Sequence, residues 1–183
     1  MKPADALPMH AARYVRPALP PRNGWSRRDC LACTAAALLP GVSLAQPAVG
    51  FDWPALRLLD GTTLQPADWH GTAAVVAFWA THCPFCKRHN AHLNKLHRSL
   101  AGRPVRVLGV ALDRDALLVQ RYMASNGYEF AVTTDGATLR QRLSPRRVIP
   151  TTLTIGRDGR VSAPIHGEMS EEDVMELATL VAS

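Results

Sequence analysis

The spacing of apolar positions changes several times along the chain, and each change predicts an element. ALRLLDGTTLQPADWHG (55–71) predicts a hairpin turning at Asp60-Gly61, followed by a short helical turn near Ala67. TAAVVAFWA (72–80) is a continuous apolar run of strand length, as expected of a central strand covered on both faces. From Pro84 to about Ala101 the pattern turns helical, with Pro84 suited to the first position and Gly102 to the stop. Leu93, Leu96 and Leu100 form a stripe that runs back through His89 to Cys86. VRVLGVAL predicts the next strand, and a helix from about Asp115 to Asn126 is stopped by Gly127. A short strand is expected over Tyr128–Val132 and a helical stretch over Ala137–Leu143. TTLTI and RVSAP read as two strands joined by Gly156-Arg157-Asp158-Gly159. The last helix has Ser170 as its cap and buries Val174, Leu177, Ala178 and Val181. The order predicts an α/β domain: a central mixed sheet, helices on both faces and an N-terminal β-hairpin extension.

Composition changes the picture only at the start of the chain. With 183 residues, 47% of them hydrophobic, the chain can build one domain with a substantial core. Its net charge of +6 hints at a polyanion partner, but the charge is unevenly placed. Residues 1–45 hold six of the 21 basic and two of the 15 acidic residues, which leaves 15 and 13 afterwards. The remainder is nearly neutral, so no nucleic-acid partner is expected.

SRRDCLACTAAALLPGVSLAQ reads as an export signal. Arg27 and Arg28 precede a mildly apolar stretch from Leu31 to Leu44, and Ser43-Leu44-Ala45 offers a small-x-small cleavage site before Gln46. The paired arginines resemble a twin-arginine signal, with Cys30 where an aromatic is usual, and a general secretory signal stays open. An uncleaved anchoring helix is disfavoured by Pro40 and by the short apolar length. The expected organisation is a signal peptide over 1–45 and a folded domain over 46–183, soluble in the periplasm with no stable membrane insertion. Cleavage would discard Cys30 and Cys33, leaving Cys83 and Cys86 in an oxidising compartment.

What this pair does is constrained by its place. Cys83 falls where a buried strand ends and a helix begins, and unpaired amides at a helix start favour a thiolate. Cys86 lies one turn along, close enough to displace a partner from Cys83. A structural disulfide is open, although so small a loop constrains the unfolded chain little. A metal clip is open too, with His82, His89 and His92 nearby, but a helical C-x-x-C lacking a second ligand pair is a weak zinc signal. A peroxidatic cysteine fits poorly, because Ala80 stands where a threonine is expected.

FWATHCPFC, followed far down the chain by VIPTTLTIGRDGRV, resembles the thioredoxin superfamily, in particular its exported TlpA-like and ResA-like branch. The likeness spans residues 53–181 and includes LGVALDRD and GEMSEEDVMEL. The resemblance implies a thioredoxin-like fold and a redox-active Cys83–Cys86 disulfide, with Cys83 attacking and Cys86 resolving. It implies that Pro150 is a cis-proline and that the backbone of Ile149 pairs with an extended substrate segment. Pro84, Phe85 and Trp79 would complete the substrate-binding surroundings. His82 replaces a common tryptophan and would tune Cys83. His89 replaces a common glutamate and is expected to take the proton of Cys86. The resemblance further implies a monomeric disulfide reductase without cofactor or metal. It would be kept reduced by a membrane-embedded thiol donor and would act on exported cysteine-containing clients of cytochrome c maturation or copper handling. A thiol oxidase, or a copper-binding chaperone using Cys83, Cys86 and a histidine, is the alternative.

Overall fold

The computed structural model describes residues 50–144 and 146–181. The export-signal reading, with Cys30 and Cys33, lies outside the described residues.

The apolar run after Gly71 becomes β3 (Ala73–Trp79), and all seven of its residues are buried. Both faces of this strand are covered because it lies mid-sheet, in the order β5-β4-β3-β6-β7. β4 (Val105–Ala111) runs parallel to β3, and β5 (Ala131–Thr133) parallel to β4. β6 (Thr151–Ile155) runs antiparallel to β3, and β7 (Ile165–His166) antiparallel to β6. This is the mixed sheet expected.

Side-chain alternation on β3 splits the core in two. Ala73, Val75, Ala77 and Trp79 face a cluster containing Leu93 and Leu96 of α1 (Pro84–Ser99), Val119 and Met123 of α2 (Ala116–Asn126), and Val174 and Leu177 of α4 (Glu171–Leu180). Ala74, Val76 and Phe78 face the other cluster, with Leu139 and Leu143 of α3 (Gly136–Leu143) and the stacked pair Trp53–Trp69. Each fully buried leucine contributes roughly 1.5–3 kcal/mol of transfer free energy, so the α1 stripe pins that helix to the sheet.

The predicted helix ends are found. Gly127 closes α2 in the left-handed region (φ 65°), and the Ser170 side chain accepts from Asp173 N–H at the start of α4. The hairpin at Asp60-Gly61 joins β1 (Leu56–Arg57) and β2 (Thr63–Leu64). Leu59 N–H donates to Val132 O, so the hairpin covers the outer edge of β5.

Two expectations are corrected. RVSAP is not the partner strand of TTLTI: Val161 makes only an isolated bridge to Ile155, and the pairing strand is Ile165–His166. Ser162 supplies its hydroxyl to Thr154 N–H, and Pro164 has no N–H to give a ladder, which delays the pairing. The strand placed over Tyr128–Val132 begins only at Ala131, because Gly127 O and Glu129 N–H are taken by the Asn94 side chain.

Candidate active site

The end of β3 delivers the chain to a turn fixed from β4. Thr81 donates through its N–H (3.0 Å) and its hydroxyl (2.6 Å) to the two carboxylate oxygens of Asp113. Cys83 then caps α1, with extended backbone (φ −95°, ψ 111°) and with Pro84 beginning the helix. Its Sγ accepts from Cys86 N–H at 3.2 Å, so the sulfur takes one of the amides that the helix start leaves without an internal partner. Cys83 and Cys86 are joined as a disulfide, their Cα atoms 5.2 Å apart. Cys83 keeps 9% of its surface and Cys86 none.

Around the pair the expected residues divide by exposure. Trp79 is fully buried, at the end of β3. Phe85 is 56% exposed, with the Arg88 guanidinium 5.1 Å from its ring centroid. Arg88 in turn makes a two-pronged pair with Glu168 (2.7 and 2.6 Å), which raises its own pKa and lowers that of Glu168. The Ile149–Pro150 peptide bond is cis. Thr151 pairs with Phe78, so the register carries Pro150 alongside Trp79, at the end of the sheet from which the cysteines emerge. Pro150 is buried, Ile149 is half-buried, and Val148 before it is exposed. The Pro150 carbonyl accepts from Gly167 N–H and the Val148 carbonyl from the Thr151 hydroxyl. Among the described residues, no hydrogen bond engages the backbone N–H or carbonyl of Ile149.

The two histidines differ sharply. His82 points to solvent, with its side chain 81% exposed and Nδ1 3.9 Å from Asp113 Oδ1. His89 is fully buried. Met169 N–H donates to His89 Nδ1 (3.4 Å), so the ring proton sits on Nε2 and is donated to Thr152 Oγ1 (2.8 Å). Burial, then the neighbouring His92, pushes its pKa down to about 4, against a weaker upward pull from Glu168. The expectation that His89 takes the proton of Cys86 does not fit this environment. The ring is neutral, both nitrogens are engaged, and the group is a weak base.

Four neighbours carried no sequence signal strong enough to single them out. Asp113, just past the adjacent C-terminal end of β4, anchors the Thr81 turn. The Tyr128 hydroxyl donates to Lys87 O in the first turn of α1, and Tyr122, packed between Trp79 and Tyr128, has its pKa pushed up to about 12, mainly by burial. Asn90, one turn after Cys86, is fully buried with neither side-chain nitrogen nor oxygen hydrogen bonded. Helical spacing from Cys86 would have found Asn90, but a polar residue beside an apolar stripe reads first as solvent-facing. No group of three or more His, Cys, Asp or Glu among the described residues is arranged to hold a metal ion.

The chain is similar to known proteins. The thiol–disulfide oxidoreductase ResA of Geobacillus kaustophilus is 30% identical over 131 residues, which cover 69% of this chain and 74% of that protein. ResA of Halalkalibacterium halodurans is 28% identical over 126 residues, covering 69% and 72%. A thiol:disulfide interchange protein of the thioredoxin family from Chlorobium tepidum superposes with a TM-score of 0.67 at 24% identity, over 76% of this chain and 99% of that one. A secreted Mycobacterium tuberculosis disulfide oxidoreductase gives 0.61 at 20% identity, over 74% and 99%. The model of the Redoxin family matches residues 45–181. The chain therefore belongs to the Redoxin family, with a thioredoxin fold and the enzyme class of the ResA-like thiol–disulfide oxidoreductases.

Proposed function

We propose that this protein is an exported disulfide reductase in which Cys83 attacks and Cys86 resolves. The observation that carries the reading is the asymmetry of the pair at the helix start. Only Cys83 has surface to offer a client, and only its sulfur accepts an amide of the first turn. That amide and the helix dipole favour a Cys83 thiolate once the pair is reduced. The thiolate attacks one sulfur of a client disulfide, forming a mixed disulfide and releasing the other client sulfur as a thiolate. Cys86, deprotonated, then attacks Cys83 Sγ. The Cys83–client bond breaks, the Cys83–Cys86 bond forms, and the client leaves with both electrons.

An extended client segment would lie along Ile149, whose backbone is free to pair in the manner of an added strand. The exposed Phe85 and the Pro84 corner would supply apolar contact beside it. The chain from Gln46 onward would work in the periplasm on exported cysteine-containing proteins of cytochrome c maturation or copper handling. A membrane-embedded thiol donor would reduce it again.

The test is trapping. Cys86→Ala should accumulate mixed disulfides with clients and Cys83→Ala should not; equal trapping by both overturns the assigned roles. Equilibration of the mature pair with glutathione fixes the direction. A potential nearer thioredoxin's roughly −270 mV than a strong oxidant's roughly −120 mV supports a reductase. The opposite result makes the same chemistry an oxidase.

A further inference from the structure

Resolution requires Cys86 to become a thiolate in a setting that has no surface and no charge to support one. The titratable groups around it are Cys83 and His89 on α1, Tyr122 on α2, and Tyr128 before β5. His89 is neutral, and burial raises both tyrosines above their ordinary range. Glu168 beyond His89 is committed to Arg88, and Asp113 to Thr81. This cluster presents Met169 from the loop before α4, Val174 from α4, and the apolar residues of β3 and β4. Among the unpartnered buried polar groups of this region, the Asn90 carboxamide is the one carried by α1 itself, one turn from Cys86.

Asn90 is four residues after Cys86, which puts the two Cβ atoms about 5–6 Å apart on the same helix face. The direction of its side chain follows from its neighbours in the helix. Lys87, three before it, accepts at its carbonyl from Tyr128, and Asn94, four after it, bonds Gly127 O and Glu129 N–H. Asn90 therefore lies on the α2 side of Cys86, and His89 on the α4 side, where it meets Met169. The carboxamide has two donors and an acceptor, is fully buried, and uses none of them in the disulfide state. A buried amide left wholly unpartnered calls for an explanation. Trp79 Nε1 and the Tyr122 hydroxyl share that condition in the same cluster, with their rings 5.3 Å apart.

We propose that Asn90 is a redox-dependent positioning residue. Its carboxamide stands unpartnered while Cys83 and Cys86 are joined, and its Nδ2–H donates to the Cys86 sulfur once that bond opens, favouring the thiolate that resolves the mixed disulfide. This rests on the exchange chemistry proposed above. The thiol form is served by the same group, since Cys86 S–H can donate to Oδ1. When Cys86 attacks Cys83 Sγ, the donor is released, the proton that Cys86 gave up ends on the departing client thiol, and two electrons leave with the client. The interaction exists only in the reduced protein, so it stabilises that form and makes the pair more oxidising than it would be without Asn90.

The test compares the wild type with Asn90→Leu, which keeps the volume, and Asn90→Ala, which removes the carboxamide without adding a charge. In a Cys83→Ala background, alkylation of Cys86 by iodoacetamide is followed against pH. Both substitutions should move the half-maximal rate to higher pH and slow the reaction near neutral pH about tenfold. With both cysteines present, equilibration with glutathione should favour the disulfide about tenfold more, a potential about 30 mV more negative. If Asn90→Leu does not fold, Asn90→Ala carries the same comparison. A merely structural asparagine would change the melting temperature and leave both readouts at their wild-type values, which would overturn the proposal. Failure of the wild-type pair itself to equilibrate with glutathione would overturn the exchange reading along with it.

Discussion

His89 sets a pH dependence whose size follows from its burial. Unfolded, its imidazole titrates near 6.5; folded, near 4, with desolvation the main cause. Between those values the unfolded chain binds the extra proton, so stability contributed by the neutral ring is complete above pH 6.5 and is lost as pH falls towards 4. Linkage gives a loss of about 2 kcal/mol by pH 5 and about 3 kcal/mol by pH 4. Carboxylates held below their usual range, such as Glu168 and Glu171, add their own acid sensitivity. The perturbation that isolates the histidine is His89→Gln, which can still bond Thr152 Oγ1 and does not titrate. Urea unfolding of the oxidised protein at pH 7, 5 and 4 is the assay. The wild type should lose about 3 kcal/mol more than the variant over that range. Parallel losses, within about 1 kcal/mol, would mean the ring is not held neutral in the fold. The same variant should keep the wild-type pH profile of client disulfide reduction between about pH 6 and 8, since a ring with both nitrogens engaged is not the proton acceptor.

Two further outcomes follow from local packing. Gly109→Ala should lower stability by about 1–3 kcal/mol, because its Cβ would fall 2.7 Å from the Phe130 ring and 2.8 Å from Trp79 Nε1; an unchanged melting temperature would show that these rings yield freely. Asp113→Ala should also cost about 1–3 kcal/mol by stranding the Thr81 N–H and hydroxyl, and the loss should shrink in Thr81→Ala, a coupling that a double-mutant cycle reads directly.

Elements whose stabilisation is local were legible in the sequence. The buried run of β3, the Pro84 start of α1, the Gly127 stop and the Ser170 cap all carry their cause within a few residues. The strand after TTLTI was not, because its start depends on Ser162 occupying Thr154 N–H across the turn. The cysteines announced themselves by spacing, and Pro150 by the motif around it. Their supports did not. Asp113 acts on Thr81 from 32 positions away, and whether His89 is a base or a packing group depends on Met169 and Thr152, which no local pattern joins to it.

The surroundings of the pair also bear on how the two sulfurs divide the work. Asymmetry could have come from a charge set beside one cysteine, yet the nearby acids are tied to Thr81 and Arg88, and the buried histidine is neutral. What remains is backbone and amide. Cys83 receives the N–H of Cys86 at the helix start, while Cys86 is fully buried one turn before the unpartnered carboxamide of Asn90. Dipoles of this kind act over short range and are weakened little by salt, unlike surface charges. The relative acidity of the two thiols should therefore hold across ionic strength. Alkylation of reduced protein at 0.05 and 0.5 M salt should label Cys83 ahead of Cys86 by the same margin, and a margin that collapsed at high salt would trace the asymmetry to exposed groups such as His82 instead.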